Sequence, residues 1–461
     1  MQQSSDLTPD MNPTLIGVEE APELTLLPVG TTGDAGYSFL RDVGLIAGGT
    51  VIAQLINALI YPVLTRLYAP ADFGLFALVV SVYATVVVVA SGRYEAAMMM
   101  PSDDGAAASV LYVALALCLV SAGVSLPVLL LTRLYLAHAI GAPQFADWAW
   151  ITPLMLMLAG IYSVQVQWCT RRGYFRVISA VAVSLAATIA LFKVLIPLLT
   201  KQSAAGLILG QLLGQAVATA MLAVVILRSD ADHFVQHPPE LRAMWDAVVR
   251  YKDFGLYGAP RTLLNMVANW SLVPVVALFM PSREVGLFTL ARAVTDLPIR
   301  PVCIALDQVF YRRAARERHD RALGRFAVRL IGVLALVTVP VVVLFALNAQ
   351  HLFDIVFGRA WSGAGAIAAA LSFSSCATLL TSWTARLFDV HEEQHLALGL
   401  EFAYAIASIG TFATVLRWRS NVAVATEWYA VVAVLFAVSR TLVAFTRTGV
   451  GISDGRSRRA W

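Results

Sequence analysis

Apolar runs of about 20 residues, the length a helix needs to cross a hydrocarbon core, recur along nearly the whole chain. Short stretches rich in Arg, Asp, Pro and Gly separate them. The pattern predicts about twelve spanning helices, near 43–65, 73–92, 106–131, 148–169, 177–199, 204–227, 254–280, 284–307, 326–347, 363–387, 396–416 and 424–446. The run at 284–307 is the weakest in hydropathy. The runs also come twice in the same order. The stretch from Asn57 to Leu78 returns from Asn269 to Leu290, with Asn57 against Asn269, Pro62 against Pro274, Asp72 against Glu284, and Gly74-Leu75-Phe76 against Gly286-Leu287-Phe288. A repeat near half the chain length predicts two similar bundles around a shared interior. The expected fold is an all-α polytopic membrane protein with about twelve transmembrane helices in two repeated six-helix bundles around a central cavity.

The punctuation sets the expected domains. Residues 1–40 are polar and Pro/Thr-rich, with no basic start followed by an apolar core, and read as a disordered cytoplasmic tail rather than a cleaved signal. Residues 41–228 form the first bundle and 253–447 the second. Residues 229–252 form a cytoplasmic linker with amphipathic character, and 448–461 a basic cytoplasmic tail.

Composition narrows the function. Only 13% of residues are charged and 59% are hydrophobic, against about 25% charged in a soluble domain, so a soluble enzyme is excluded. No GxxxxGK[ST] phosphate loop occurs, which argues against an ATP-driven pump. No loop is long enough to hold a catalytic domain, which argues against a polymerase or ligase. Cys118, Cys169, Cys303 and Cys376 are scattered through apolar segments and read as small packed hydrophobes, not metal ligands.

Basic residues fix the expected orientation. Arg171, Arg172, Arg176, then Arg242, Arg250, Lys252, then Arg312, Arg313, Arg316, Arg318, Arg321 and Arg325 cluster on one side, while the other side carries mostly single charges. The excess predicts both termini in the cytoplasm. It also accounts for the net charge of +4 without invoking nucleic acid.

Charges inside the spans are the functional candidates, because each costs about 3 kcal/mol or more at the bilayer centre unless it meets water or a partner. Arg292, Asp296 and Arg300 recur every four residues and share one stripe of the eighth helix, which Pro298 and Pro301 are expected to bend. Arg261, inside the inner end of the seventh helix, falls at a depth similar to Arg300. Guanidinium forks bind phosphate oxygens in pairs and stay charged at any physiological pH. The ladder therefore suits an anion such as a pyrophosphate; the plainer alternative is an ion-pair network with Asp296. Gln54 and Asn57, with Asn269 in the repeat, either hydrogen-bond sugars or glue helices together. Glu95 aligns with Asp307, and the two read as inner-gate, coupling or loop-anchoring acids. Lys193 reads as snorkelling to the outer interface, and Glu401 lies near the inner one.

His391-Glu392-Glu393-Gln394-His395 matches the H-E-x-x-H zinc-protease pattern. It falls in a short loop rather than a span and has no convincing third ligand, so no metal and no cofactor are expected.

The block from Tyr257 to Met266, then Val285-Gly-Leu-Phe-Thr-Leu-Ala-Arg292, Leu297-Pro298 and Gln308-Val-Phe-Tyr-Arg-Arg313 resembles bacterial polysaccharide-unit flippases. These are the Wzx-type members of the multidrug/oligosaccharidyl-lipid/polysaccharide exporter superfamily. The stretch Leu64 to Phe76, then Arg93-Tyr94-Glu95, Pro101, Asp103-Asp104, and Phe357-Gly358 with Trp361 and Ala364-Gly365, are similar to the same family. The resemblance covers roughly residues 40–420. It implies a cationic cavity and a polyprenyl-pyrophosphate-linked oligosaccharide moved between leaflets of the bacterial inner membrane, for exopolysaccharide, capsule or O-antigen synthesis. It further implies a side opening for the lipid tail between helices one and eight, and a basic residue at the position of Arg292. The extended polar N-terminus departs from the family.

The expected function is thus a flippase working by alternating access, not an enzyme. Its expected partners are the lipid-linked oligosaccharide, membrane lipids, and a polysaccharide polymerase with other glycan assembly proteins. The alternatives are another exporter of the superfamily, for lipid-linked peptidoglycan precursor or drugs, a scaffold subunit of a glycan assembly complex, and an intramembrane zinc protease.

Overall fold

The computed structural model describes residues 33–200, 203–260, 262–263, 271–316, 321–390 and 393–447. The chain divides into two compact units, residues 1–44 and 45–461. In the first, the described residues 33–44 are helical. In the second, the described residues form helices and short turns, with no strand among them. Arg261 and Asn269 lie outside the described residues, as do His391 and Glu392.

The first half runs through α1 (Gly33–Leu67), α2 (Pro70–Ala90), the short α3 (Tyr94–Ala97), α4 (Asp104–Ala139), α5 (Phe145–Trp148), α6 (Ile151–Arg171), α7 (Phe175–Thr200) and α8 (Ser203–Ser229). Two short helices follow, α9 (Ala231–Gln236) and α10 (Leu241–Arg250). The second half begins with a turn of π-helix at Phe254–Gly258 and continues as α11 (Leu272–Phe279), α12 (Ser282–Arg316), α13 (Arg321–Phe357), α14 (Ser362–Thr381), α15 (Arg386–Val390), α16 (Gln394–Arg419) and α17 (Val422–Arg447). Local chemistry explains several boundaries. Pro70 opens α2, where its missing N–H costs nothing, and Asp72 Oδ2 accepts from the Ala69 N–H at 3.0 Å. Gly92 and Arg93 turn left-handed (φ 61° and 64°) and end the span before Tyr94. Asp103 starts α4 by accepting from the Ala106 N–H at 2.8 Å, and that bond holds its carboxyl below the usual range.

Among the described residues, ten helices are long and apolar enough to cross a membrane, and they fall on predicted segments one to six and nine to twelve. The seventh segment is described only in pieces. The eighth, α12, is a single 35-residue helix that runs through both Pro298 and Pro301. Its low hydropathy has a physical reason: Val285, Leu287, Phe288, Leu290 and Ala291 of its first turns are buried against other helices, so little of that half needs to face lipid.

The apolar core decides where a site can be. At the end holding the starts of α2 and α12, one core joins both halves, running from Leu64, Tyr68, Phe73 and Leu78 to Val276, Phe288, Trp361 and Ala425. Trp361 stacks edge-on against Phe73 at 4.9 Å and donates its indole N–H to the Thr65 carbonyl at 2.9 Å. At the opposite end the core splits in two. Met98, Leu111, Trp168 and Leu222 belong to the first bundle, whereas Phe310, Leu323, Trp383 and Phe388 belong to the second.

The joint is built from the repeat. A methyl on Gly74 would come within 1.8 Å of the Ser282 carbonyl oxygen, and a methyl on Gly286 within 1.8 Å of the Pro70 carbonyl oxygen. Ser282 stands one turn before Gly286 as Pro70 stands one turn before Gly74. The two contacts are therefore one contact seen twice, which is what a two-fold relation between repeats requires. Only glycine lets the two backbones meet this closely.

Candidate functional site

Past the shared core, α12 carries the predicted polar stripe. Arg292 Nε lies 3.5 Å from Asp296 Oδ2, with side chains 23% and 38% exposed. This is the ion pair that the plainer reading required, in a long geometry. Arg300, one turn further, is exposed and makes no hydrogen bond or ion pair with a described residue. The helix thus brings the three residues onto one stripe, as their spacing predicts, but pairs only two of them.

The second bundle adds residues that sequence reasoning missed. Tyr404 on α16 lies within electrostatic range of both Arg292 and Arg440. Its ring stacks on Phe436 at 4.4 Å and its hydroxyl donates to Tyr429 at 3.2 Å. Arg440 on α17 donates from Nη2 to the Thr381 carbonyl at 3.2 Å. Glu401 stands within Coulomb range of Arg440 but forms no ion pair with it. Near the end of an apolar segment, Arg440 reads in sequence as a boundary charge; only the packing of α17 on α14 shows it as part of a cationic cluster.

On the first bundle, Gln54 and Asn57 lie on α1, both half-buried, and neither amide bonds a described group. The helix is fixed elsewhere, by Gly49 against Ser179 and by Leu64 and Tyr68 in the shared core.

The two gate candidates are each held within their own bundle. Glu95 accepts from Arg93 Nη1 at 3.1 Å and from the Ser91 hydroxyl. Asp307 is gripped by Arg386, through Nε at 2.8 and 3.0 Å and Nη2 at 2.6 Å. They do not meet each other. Near Glu95, Arg172 pairs with Asp104 at 2.9 Å and with the fully buried Asp230 at 2.8 Å. Asp230 also accepts from Trp168 Nε1 and the Tyr174 hydroxyl, each at 2.9 Å. Burial, then the bond to Asp230, push the Tyr174 phenol up.

Lys193 departs from its expectation. It does not snorkel but is 8% exposed, donating to Gln211 Oε1 at 2.9 Å. Its backbone approaches Gly210 too closely for any side chain there, so α7 and α8 enclose it. The four cysteines are free, three of them buried. No group of three His, Cys, Asp or Glu able to hold a metal occurs among the described residues.

A family model described as polysaccharide biosynthesis protein matches residues 63–366. The chain belongs to that family. Its fold is similar to that of solved transporters. An inward-facing multidrug resistance MATE family transporter of the MOP superfamily matches with a TM-score of 0.67 at 15% identity, over 86% of this chain and 94% of that one. The outward-facing form of such a transporter matches with a TM-score of 0.53 at 16% identity, over 89% and 96%. A MOP superfamily transporter from Pyrococcus furiosus, described as having a binding pocket of reversed polarity, matches with a TM-score of 0.52 at 17% identity, over 89% and 96%. None of the curated proteins compared with the chain matches it. The apolar helices among the described residues and the fold make this a multi-pass membrane protein built from two repeated helical bundles.

Proposed function

We propose that the chain is a flippase that moves a polyprenyl-pyrophosphate-linked oligosaccharide from the inner to the outer leaflet of a bacterial cytoplasmic membrane by alternating access. The observation that carries this reading is that Arg300 on α12 and Arg440 on the apolar α17 have no ion-pair partner among the described residues. An unpaired guanidinium in a membrane is costly and marks a site where an anion or water completes it. Together with Arg292 they offer forks to the four or so accessible oxygens of a pyrophosphate. The family supports a glycan pathway and the fold supports export.

The split core supports an entry side. The end where the bundles separate carries Arg171, Arg172, Arg242, Arg250 and Arg313, the side that the charge rule assigns to the cytoplasm. The higher score against the inward-facing exporter than against the outward-facing one supports the same state. The lipid-linked cargo enters there. The diphosphate settles on the arginines of α12 and α17, and the amides of Gln54 and Asn57, which bond no described group, meet sugar hydroxyls. The polyprenyl chain stays in lipid. Closing the inner ends and parting Gly74 from Ser282 then exposes the cargo to the other side.

Replacing Arg300 or Arg440 by Ala is expected to abolish glycan export and leave lipid-linked precursor accumulating, with the protein still inserted at wild-type level. Surface glycan and precursor pools, measured in a strain lacking the native gene, check this. Wild-type export from both variants would overturn the anion-site reading.

A further inference from the structure

Lys193 has no part in the arginine site, and its surroundings are unusual for a lysine. Its Nζ touches Gln211 Oε1 at 2.9 Å and stands 4.3 Å from the centre of the Phe76 ring. Its carbonyl accepts the Tyr68 hydroxyl. Gly206, Gly210 and Gly214 of α8 lie against Pro197, Lys193 and Ile189 of α7, and a methyl on Gly210 would reach within 2.8 Å of the Lys193 backbone nitrogen. This close seam is what denies the side chain a path to water.

No described element around it supplies a countercharge. On α2 the charged residue is Asp72, engaged with the Ala69 N–H. Arg66 closes the last turn of α1, and Tyr68, just past that helix, is committed to the Lys193 carbonyl. On α8, Gln211 is the polar contact, and Arg228 lies at the far end of the helix. On α6 the charged residue is Arg171, bonded to Asp104 at 3.0 Å. Among the described residues Lys193 has no ion-pair partner. A buried ammonium held by one amide and one ring face is poorly compensated. Unlike arginine, lysine relieves that condition by giving up its proton. Phe76 follows Gly74 by two residues, on the helix that makes the contact with α12. The charge of Lys193 is therefore felt at the joint between the bundles.

We propose that Lys193 is a proton-binding site that couples the proton to the opening of the two bundles. The inference rests on the alternating-access reading but not on its cargo. Protonated, the ammonium attracts the face of Phe76 and holds α2 in its present contact with α12. When the joint parts, water reaches the amine, takes the proton as hydronium, and the attraction to the ring is lost. Acid thus favours the state with the inner ends apart, and alkali favours the state with them together.

The test uses the full chain in lipid nanodiscs without cargo, its four cysteines replaced by Ala, with spin labels attached through Met100→Cys and Leu398→Cys. Both positions are exposed and lie at the end where the cores are separate. Electron–electron distance measurements across a pH series should show long distances in acid and a shift to short ones in alkali. Lys193→Arg should stay long throughout, and Lys193→Met short throughout. A distance distribution independent of pH with Lys193 intact would overturn the proposal, as would a Lys193→Met protein that follows pH as the parent does. If Lys193→Met does not fold, the parent series and Lys193→Arg still decide. Because no cargo is present, failure here leaves the flippase reading standing, and failure of glycan transport leaves this result standing.

Discussion

Asp230 shows what a single side chain contributes at the basic end of the first bundle. Its carboxylate is fully buried and accepts from Arg172, Trp168 and Tyr174. Removing one member of a buried ion pair leaves the other charge unsolvated, at a cost of about 3–5 kcal/mol. Asp230→Ala is therefore expected to lower stability by roughly 3 kcal/mol, or several degrees in the melting temperature, without touching the arginines of α12. Thermal unfolding in detergent measures this; a variant that melts with the parent would show the clasp to be idle. In sequence Asp230 is one more loop charge after Ser229, because its three donors come from positions about 60 residues away. The stripe of Arg292, Asp296 and Arg300 was legible because periodicity alone places it. Lys193 was misread for the same reason Asp230 was missed: position along a span says nothing about which neighbour encloses the side chain.

Among the elements, α2 and α12 matter most, and their joint was half-visible in the repeat. The alignment of Gly74 with Gly286 predicts that the two glycines are equivalent, not that each lies against the turn preceding the other. That follows only once the two-fold axis is seen. Gly74→Ala and Gly286→Ala each drive a methyl into a backbone carbonyl, an overpacking of about 1–3 kcal/mol, and the strain is relieved by moving the helices apart. Each variant is expected to populate the state with this end open. Labelling of a cysteine placed at Ser282 by a membrane-impermeant reagent should rise; labelling unchanged in both variants would contradict the contact. The linker helix α10 was foreseen as amphipathic and has three sectors. Met244, Ala247 and Val248 pack on the first bundle, Leu241, Trp245 and Val249 are exposed, and Arg242, Asp246 and Arg250 are exposed beside them. One face for protein, one for lipid and one for water suit a helix lying in the membrane surface.

For the whole molecule, hydropathy gave the spans and the repeat gave the two halves, since both are properties of the chain read in order. Which end of the bundles shares a core was not legible, because it depends on packing between helices far apart in the chain. One core joins the bundles at the Gly74 end and two separate cores serve them at the other, with cationic side chains on α12 and α17 beyond the joint. The most direct measurement is leaflet transfer by the purified protein in vesicles, using a polyprenyl-pyrophosphate oligosaccharide with a fluorescent sugar and a reducing quencher outside. Wild-type protein should speed loss of the protected fluorescence over empty vesicles, and Arg300→Ala should slow it by about tenfold or more, as expected for one lost charge-assisted contact. Transfer no faster than in empty vesicles, or equally fast with Arg300→Ala, would contradict the account.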